Sequence, residues 1–106
     1  MALDIVPSDT PGRLRLVGEL DLANAESLLT ALQEAAHTGD VLLDVSELQF
    51  VDSSGIRALL QAHIALKEQG RGLVLLSPTP FVRRIFDTLE LAANGVDIRG
   101  EEGSAT

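Results

Sequence analysis

The chain of 106 residues carries 16 acidic and 8 basic side chains, has a formal charge of -8, and contains no cysteine, tryptophan or tyrosine. Disulfides and thiolate metal sites are therefore excluded, and the net charge disfavours binding to nucleic acid or to anionic lipid. With 45% apolar residues, the composition predicts one folded domain of ordinary size that acts on protein partners.

The predicted elements begin with two short strands at residues 3–6 and 13–17. Turn formers at 7–12 reverse the chain between them, which predicts an antiparallel pair. An amphipathic helix capped by Asp21 or Asn24 follows and ends near residue 39. Its inner face is predicted to hold Ala25, Leu28, Leu29, Leu32 and Ala36.

The second half of the chain alternates strands and helices. Residues 41–45 and 72–76 are short apolar runs typical of buried strands, and a helix begins around Ser53 between them. A third helix follows the breaker at 77–80, and 96–98 forms a short last strand. The second helix is predicted to bury Ile56, Leu59, Leu60, Ile64 and Leu66. The third is predicted to bury Phe81, Val82, Ile85, Phe86 and Leu89, with Arg83 and Arg84 pointing outwards.

This order predicts an α/β domain with a mixed, mostly parallel sheet, an N-terminal antiparallel strand pair and helices packed against the sheet. We assign residues 1–99 to this single domain and 100–106, which are small and polar, to a flexible C-terminal tail. No apolar run approaches the roughly 18–20 residues needed to cross a bilayer, and no secretory signal precedes the first strand. We therefore expect a cytoplasmic protein without membrane insertion that is monomeric on its own.

The sequence Asp-Ser-Ser-Gly at 52–55 lies between a strand and the helix that follows it, where functional groups gather in open α/β sheets. Asp52 is placed to cap that helix, which leaves Ser53 and Ser54 in its first turn beside unpaired backbone N–H groups. Such a helix end would tolerate a phosphate. The alternative is a purely structural capping turn, because Asp and Ser are preferred caps in proteins generally.

Three motifs resemble those of STAS domains, and particularly of bacterial anti-sigma factor antagonists. The sequence Asp-Ser-Ser-Gly-Ile at 52–56 is similar to the signature of the family, and Gly-Glu-Leu-Asp at 18–21 is similar to its upstream motif. Residues 77–86 resemble the third helix of the family, which starts at a proline. Glu90 departs from the pattern, since members often have Gly after that helix, although Asn-Gly at 94–95 could supply the turn.

The resemblance implies a regulator with no catalytic residues, no cofactor and no metal, which is the substrate of a partner kinase. The serine after the Asp of the motif, here Ser53, would be phosphorylated by an anti-sigma factor serine kinase and reset by a phosphatase. The unphosphorylated form would capture the anti-sigma factor and free a sigma factor, and the phosphorylated form would let go. Residues expected to contact the partner surround Ser53: Glu19, Asp21, Asp52, Ser54, Gly55 and Ile56. The three carboxylates predict a basic docking surface on that partner.

Other site chemistries fit the residues less well. A receiver domain needs a lysine at a strand end, whereas Lys67 lies late in the second helix. His63 is about three helical turns from Ser53, too far for a Ser-His-Asp hydrolase. His37 lies at the C-terminal end of a helix, where a favourable interaction with the helix dipole is a sufficient reason for a histidine. The two histidines are too far apart for a metal site.

The main alternative function belongs to a different class: a STAS-like subunit that docks permanently on the ATPase of an ABC-type lipid transporter. The first turn of the second helix would then be a plain docking surface, and a phosphorylatable serine would be unnecessary. The serine pair at 53–54 favours the switch.

Overall fold

Residues 2–100 are described by a computed structural model. Its elements are β1 (Leu3–Pro7), β2 (Arg13–Leu20), α1 (Ala25–Ala35), β3 (Val41–Val51), α2 (Ser53–Glu68), β4 (Leu73–Leu76), α3 (Pro80–Thr88) and β5 (Asp97–Arg99). This is the order predicted from the sequence. A short 3-10 turn at Ala36–Thr38 extends α1. Most of the predicted tail, residues 101–106, lies outside the described residues.

The five strands form one sheet in the order β1-β2-β3-β4-β5, with β1 and β2 antiparallel and all other neighbours parallel. In β3 the buried Val41, Leu43 and Val45 alternate with half-buried residues, so one face of the strand enters the core. Buried side chains of all three helices belong to the same hydrophobic cluster. The predicted α/β architecture is therefore confirmed.

Two strands are longer than the sequence predicts, because β2 reaches Leu20 and β3 reaches Val51. Their parallel pairing continues through two register shifts, one between Arg15 and Val17 and one between Gly18 and Glu19. Each irregularity breaks the period of two that identifies a strand from its sequence. The extension carries both strands directly to the start of α2.

The buried faces of α2 and α3 differ from the predicted ones. Ile64 is 57% exposed and Phe81 is 54% exposed, and Leu89 is exposed as well. In α2 the small residues Ala58 and Ala62 are buried instead. Because small side chains let the helix approach its neighbours closely, the packed face of α2 extends over Ala58 and Ala62 and leaves Ile64 outside. Three larger residues of α2 are buried as predicted: Ile56, Leu59 and Leu66.

The turn after α3 is built differently from the expected one. Glu90 itself adopts a left-handed conformation with φ of +57°, and Gly95 has φ of +99°. The Glu90 backbone carbonyl accepts a hydrogen bond from Asn94 Nδ2 at 2.8 Å, and the backbone N–H of Leu91 donates to Phe86 at 3.0 Å. The chain therefore keeps a glycine-like turn at Glu90 and adds a second at Gly95.

Candidate functional site

Asp52 links the end of the sheet to the start of α2. Its extended backbone ends β3, and its Oδ1 accepts a hydrogen bond from the backbone N–H of Gly55 at 2.9 Å. Its own backbone N–H donates to the carbonyl oxygen of Leu20, the last residue of β2, at 3.1 Å. The predicted cap is therefore present, and it ties two strand ends to one helix end.

Gly55 fixes how closely α2 approaches those strands. A Cβ placed on Gly55 would lie 2.7 Å from Leu20 Cγ and 2.7 Å from Val51 Cγ2. Neither neighbour is the free end of a long side chain, so any larger residue would push the first turn outwards. Ile56 is also buried, with 4% of its surface exposed. Gly55 and Ile56 thus support the site from beneath and present little surface of their own.

The two serines of the motif differ in accessibility. Ser53 is the first residue of α2 and is exposed, whereas Ser54 is half-buried. Within residues 2–100, neither hydroxyl forms a hydrogen bond, so neither is committed to the cap. The Ser53 hydroxyl is the more accessible nucleophile at this helix end.

The end of β2 and the loop after it bring Glu19 and Asp21 to the strand end that bonds to Asp52. The backbone N–H of Ala23 donates to Asp21 Oδ1 at 3.0 Å. Asn24 accepts from the backbone N–H of Asp21 at 3.0 Å and donates to the carbonyl oxygen of Glu19 at 2.9 Å. Because Leu20 bonds to Asp52, this braced loop and the cap of α2 lie together. We call the three carboxylates of Glu19, Asp21 and Asp52 the acidic rim.

Exposed apolar side chains flank the acidic rim, and sequence reasoning gave them no role at the surface. Leu22, next to Asp21, is 76% exposed, and Phe50, two residues before Asp52, is 40% exposed. The rings of Phe50 and Phe81 stack with their centroids 6.4 Å apart. The alternation of β3 could not reveal Phe50 because the strand is irregular there. Aromatic residues exposed in this way are typical of protein interfaces.

Other chemistry finds little support in the described part of the chain. Residues 2–100 contain no cluster of three or more His, Asp or Glu side chains able to hold a metal ion. The buried Nδ1 of His63 has no hydrogen-bond partner, but its position ten residues along α2 puts it about 15 Å from Ser53. Over the same residues, no helix is both long enough and apolar enough to cross a membrane.

Comparison with known proteins identifies a family that covers nearly the whole domain and relatives that match about two thirds of the chain. A family model described as "Mlab, STAS domain" matches residues 4–98. BtrV of Bordetella bronchiseptica is 34% identical over 74 residues, which are 68% of this chain and 64% of BtrV. A Lysinibacillus sphaericus protein named anti-sigma F factor antagonist is 32% identical over 76 residues, 69% of this chain and 65% of that protein. The chain thus spans just under two thirds of the curated relatives it matches.

Solved structures of SpoIIAA, named an anti-sigma factor antagonist, are similar to this chain. The unphosphorylated form has a TM-score of 0.64 and 23% identity, and the match covers 99% of this chain and 90% of that one. The phosphorylated form from Bacillus has a TM-score of 0.65 at the same 23% identity, with 95% and 93% covered. At this identity the likeness establishes the fold. Since the family model covers residues 4–98 and the fold agrees, the chain belongs to the STAS domain family.

Proposed function

We propose that this chain is an anti-sigma factor antagonist. Its unphosphorylated form binds an anti-sigma factor that is also a serine kinase, which frees a sigma factor, and phosphorylation of Ser53 ends that binding. The observation that carries the proposal is the exposed Ser53 hydroxyl, which follows the Asp52 cap on a braced helix end. A cytoplasmic location follows from the proposal, because sigma factors act there.

The names of the relatives support the assignment of the whole domain, and the role of Ser53 remains part of the proposal. The Lysinibacillus protein is named an anti-sigma F factor antagonist, and SpoIIAA, which has the same fold, has been solved in both unphosphorylated and phosphorylated forms. A regulator of this kind has no need of catalytic residues. The protein is then a substrate and binding partner rather than an enzyme.

The surface around Ser53 suits a partner that is basic at its rim and apolar at its centre. The acidic rim supplies negative charge, and Leu22 and Phe50 supply exposed apolar area beside it. A phosphate adds about -1.5 to -2 charges. Burying the phosphate in an apolar part of a packed interface costs about 2–5 kcal/mol, a loss of roughly thirty-fold to a few thousand-fold in affinity. Release therefore requires no refolding of the chain.

The proposal is tested by incubating the chain with its partner kinase and ATP and mapping the product by mass spectrometry. We expect one phosphate, on Ser53. Ser53→Ala should bind the kinase permanently, and Ser53→Asp should bind it at least thirty-fold more weakly. Ser54→Ala is the matched control for the site of modification and should still be phosphorylated on Ser53.

Two outcomes would contradict the switch. One is phosphate on neither serine, together with normal binding by Ser53→Asp. The other is recovery of a transporter ATPase with its membrane partners, and no kinase, when the tagged chain is isolated from its own cells. That second result would support the alternative function as a transporter subunit.

A further inference from the structure

Arg57 lies on the same face of α2 as Ser53, one helical turn further along. Residues four apart on a helix are neighbours at the surface, about 6 Å apart along the axis. Both side chains are exposed, and α2 is continuous from Ser53 to Glu68. The guanidinium of Arg57 can therefore reach a group attached to the Ser53 oxygen without any change in the backbone.

Arg57 has no carboxylate to pair with on its own helix. The positions three and four residues away, where a partner would stand, hold Ser53, Ser54, Leu60 and Gln61. Three arginines elsewhere in the described residues do form ion pairs: Arg15 with Glu47 at 2.9 Å, Arg83 with Asp87 at 3.1 Å and Arg99 with Asp97 at 2.9 Å. Arg84, exposed on α3, forms none with those described residues. Within residues 2–100, Arg57 forms no such ion pair.

We propose that Arg57 is the internal counter-charge of the Ser53 phosphate, a positioning residue that holds the phosphate along α2. The inference rests on the proposed function, because it assumes that Ser53 is the phosphorylated residue. A guanidinium matches two phosphate oxygens at once. The order along the helix, with the anion first and the cation four residues later, is the favourable one.

The pairing with Arg57 would reduce the repulsion between the Ser53 phosphate and the carboxylates around it. A phosphate on Ser53 stands next to the Asp52 carboxylate and near the acidic rim, and these carboxylates repel it, whereas the backbone N–H groups of the helix end attract it. Arg57 is the cation one turn away that offsets this repulsion. We therefore expect the phosphate to spend more of its time directed along α2, toward Arg57, than toward the acidic rim.

The test installs phosphoserine at position 53 during translation, so that no kinase is needed, and follows the phosphate by ³¹P NMR as a function of pH. Arg57 favours the dianion, so its removal should raise the second pKa of the phosphate. We expect Arg57→Gln to raise that pKa by about 0.3 and Arg57→Lys to restore most of the difference. Arg84→Gln, on α3, is the matched control and should leave it unchanged.

Equal second pKa values in the wild-type and Arg57→Gln phosphoproteins would overturn the inference. Circular dichroism of both variants checks that the fold is intact, and Arg57→Lys gives a second measurement if the glutamine variant unfolds. The outcome is separate from that of the proposed function. If the kinase ignored Ser53, the proposed function would fail, although the charge pairing would still be measurable in the installed phosphoprotein.

Discussion

Glu90 holds a backbone conformation that costs a residue with a side chain more than it costs glycine. Its φ of +57° lies in the left-handed region. There a Cβ raises the conformational energy of the folded chain by about 1–2 kcal/mol relative to glycine. Glycine loses part of that advantage through its larger freedom in the unfolded chain. We expect Glu90→Gly to raise the free energy of unfolding by about 0.5–1 kcal/mol, measured by urea denaturation.

Ala92 provides the control for that measurement. It is exposed in the same turn, and its φ is not positive. Ala92→Gly should therefore lower the free energy of unfolding. If Glu90→Gly proved no more stable than the natural chain, the left-handed backbone at this residue would be storing no strain.

Local residue chemistry explains which single residues could be predicted. The Asp52 cap depends on a short sequence and a helix start, so its role was predictable and is confirmed. Glu90 was recognised as a departure from the family pattern, but its backbone angle depends on hydrogen bonds that close the end of α3. The exposure of Phe50 depends on irregular pairing with a distant strand, so it could not be predicted from the residues around it.

At the scale of elements, the contact between α2 and the ends of β2 and β3 depends on Gly55. Helix propensity alone predicts that Gly55→Ala gains about 1 kcal/mol. The contacts of 2.7 Å to Leu20 and Val51 predict a loss of about 1–3 kcal/mol from overpacking. We expect the overpacking loss to exceed the propensity gain, so Gly55→Ala should have a lower urea midpoint and slower phosphorylation of Ser53.

Gly72→Ala is the matched control for that substitution. A Cβ there would meet its nearest atom at 3.7 Å, an ordinary contact, so its stability should change little. If Gly55→Ala were more stable than the natural chain, α2 would not be held close to the strand ends.

Element order and type could be predicted because turn formers and apolar runs are local signals. The strand ends and the buried helix faces could not, for two reasons. Bulges hide the extension of β2 and β3 from any period-two analysis. In α2 the small residues Ala58 and Ala62 lie on the buried face, whereas the large apolar Ile64 is exposed to solvent.

For the whole molecule, the charge of -8 has a kinetic consequence for the proposed partner. Opposite charges steer two proteins together, and salt screens that attraction. We expect the association rate with the kinase to fall several-fold between about 0.05 and 0.3 M salt, with a much smaller change in the dissociation rate. Surface plasmon resonance at several salt concentrations measures both rates.

A double variant tests whether the salt dependence of the association rate comes from the acidic rim. Glu19→Gln combined with Asp21→Asn removes two charges of the acidic rim and should reduce the salt dependence of association. Glu26→Gln combined with Glu34→Gln, on the exposed face of α1, is the matched control. An association rate independent of salt in the natural chain would contradict the steering.

The order of strands in the sheet repeats the order of strands in the chain. Each new strand therefore joins the edge left by the one before it, and no strand waits for a later one to fill a gap. During synthesis on the ribosome, the domain can grow in the direction in which it is translated. The end of β2, the end of β3 and all of α2 are complete once Glu68 has emerged. The elements that form the helix end carrying Ser53 are thus all available before the last third of the chain has emerged.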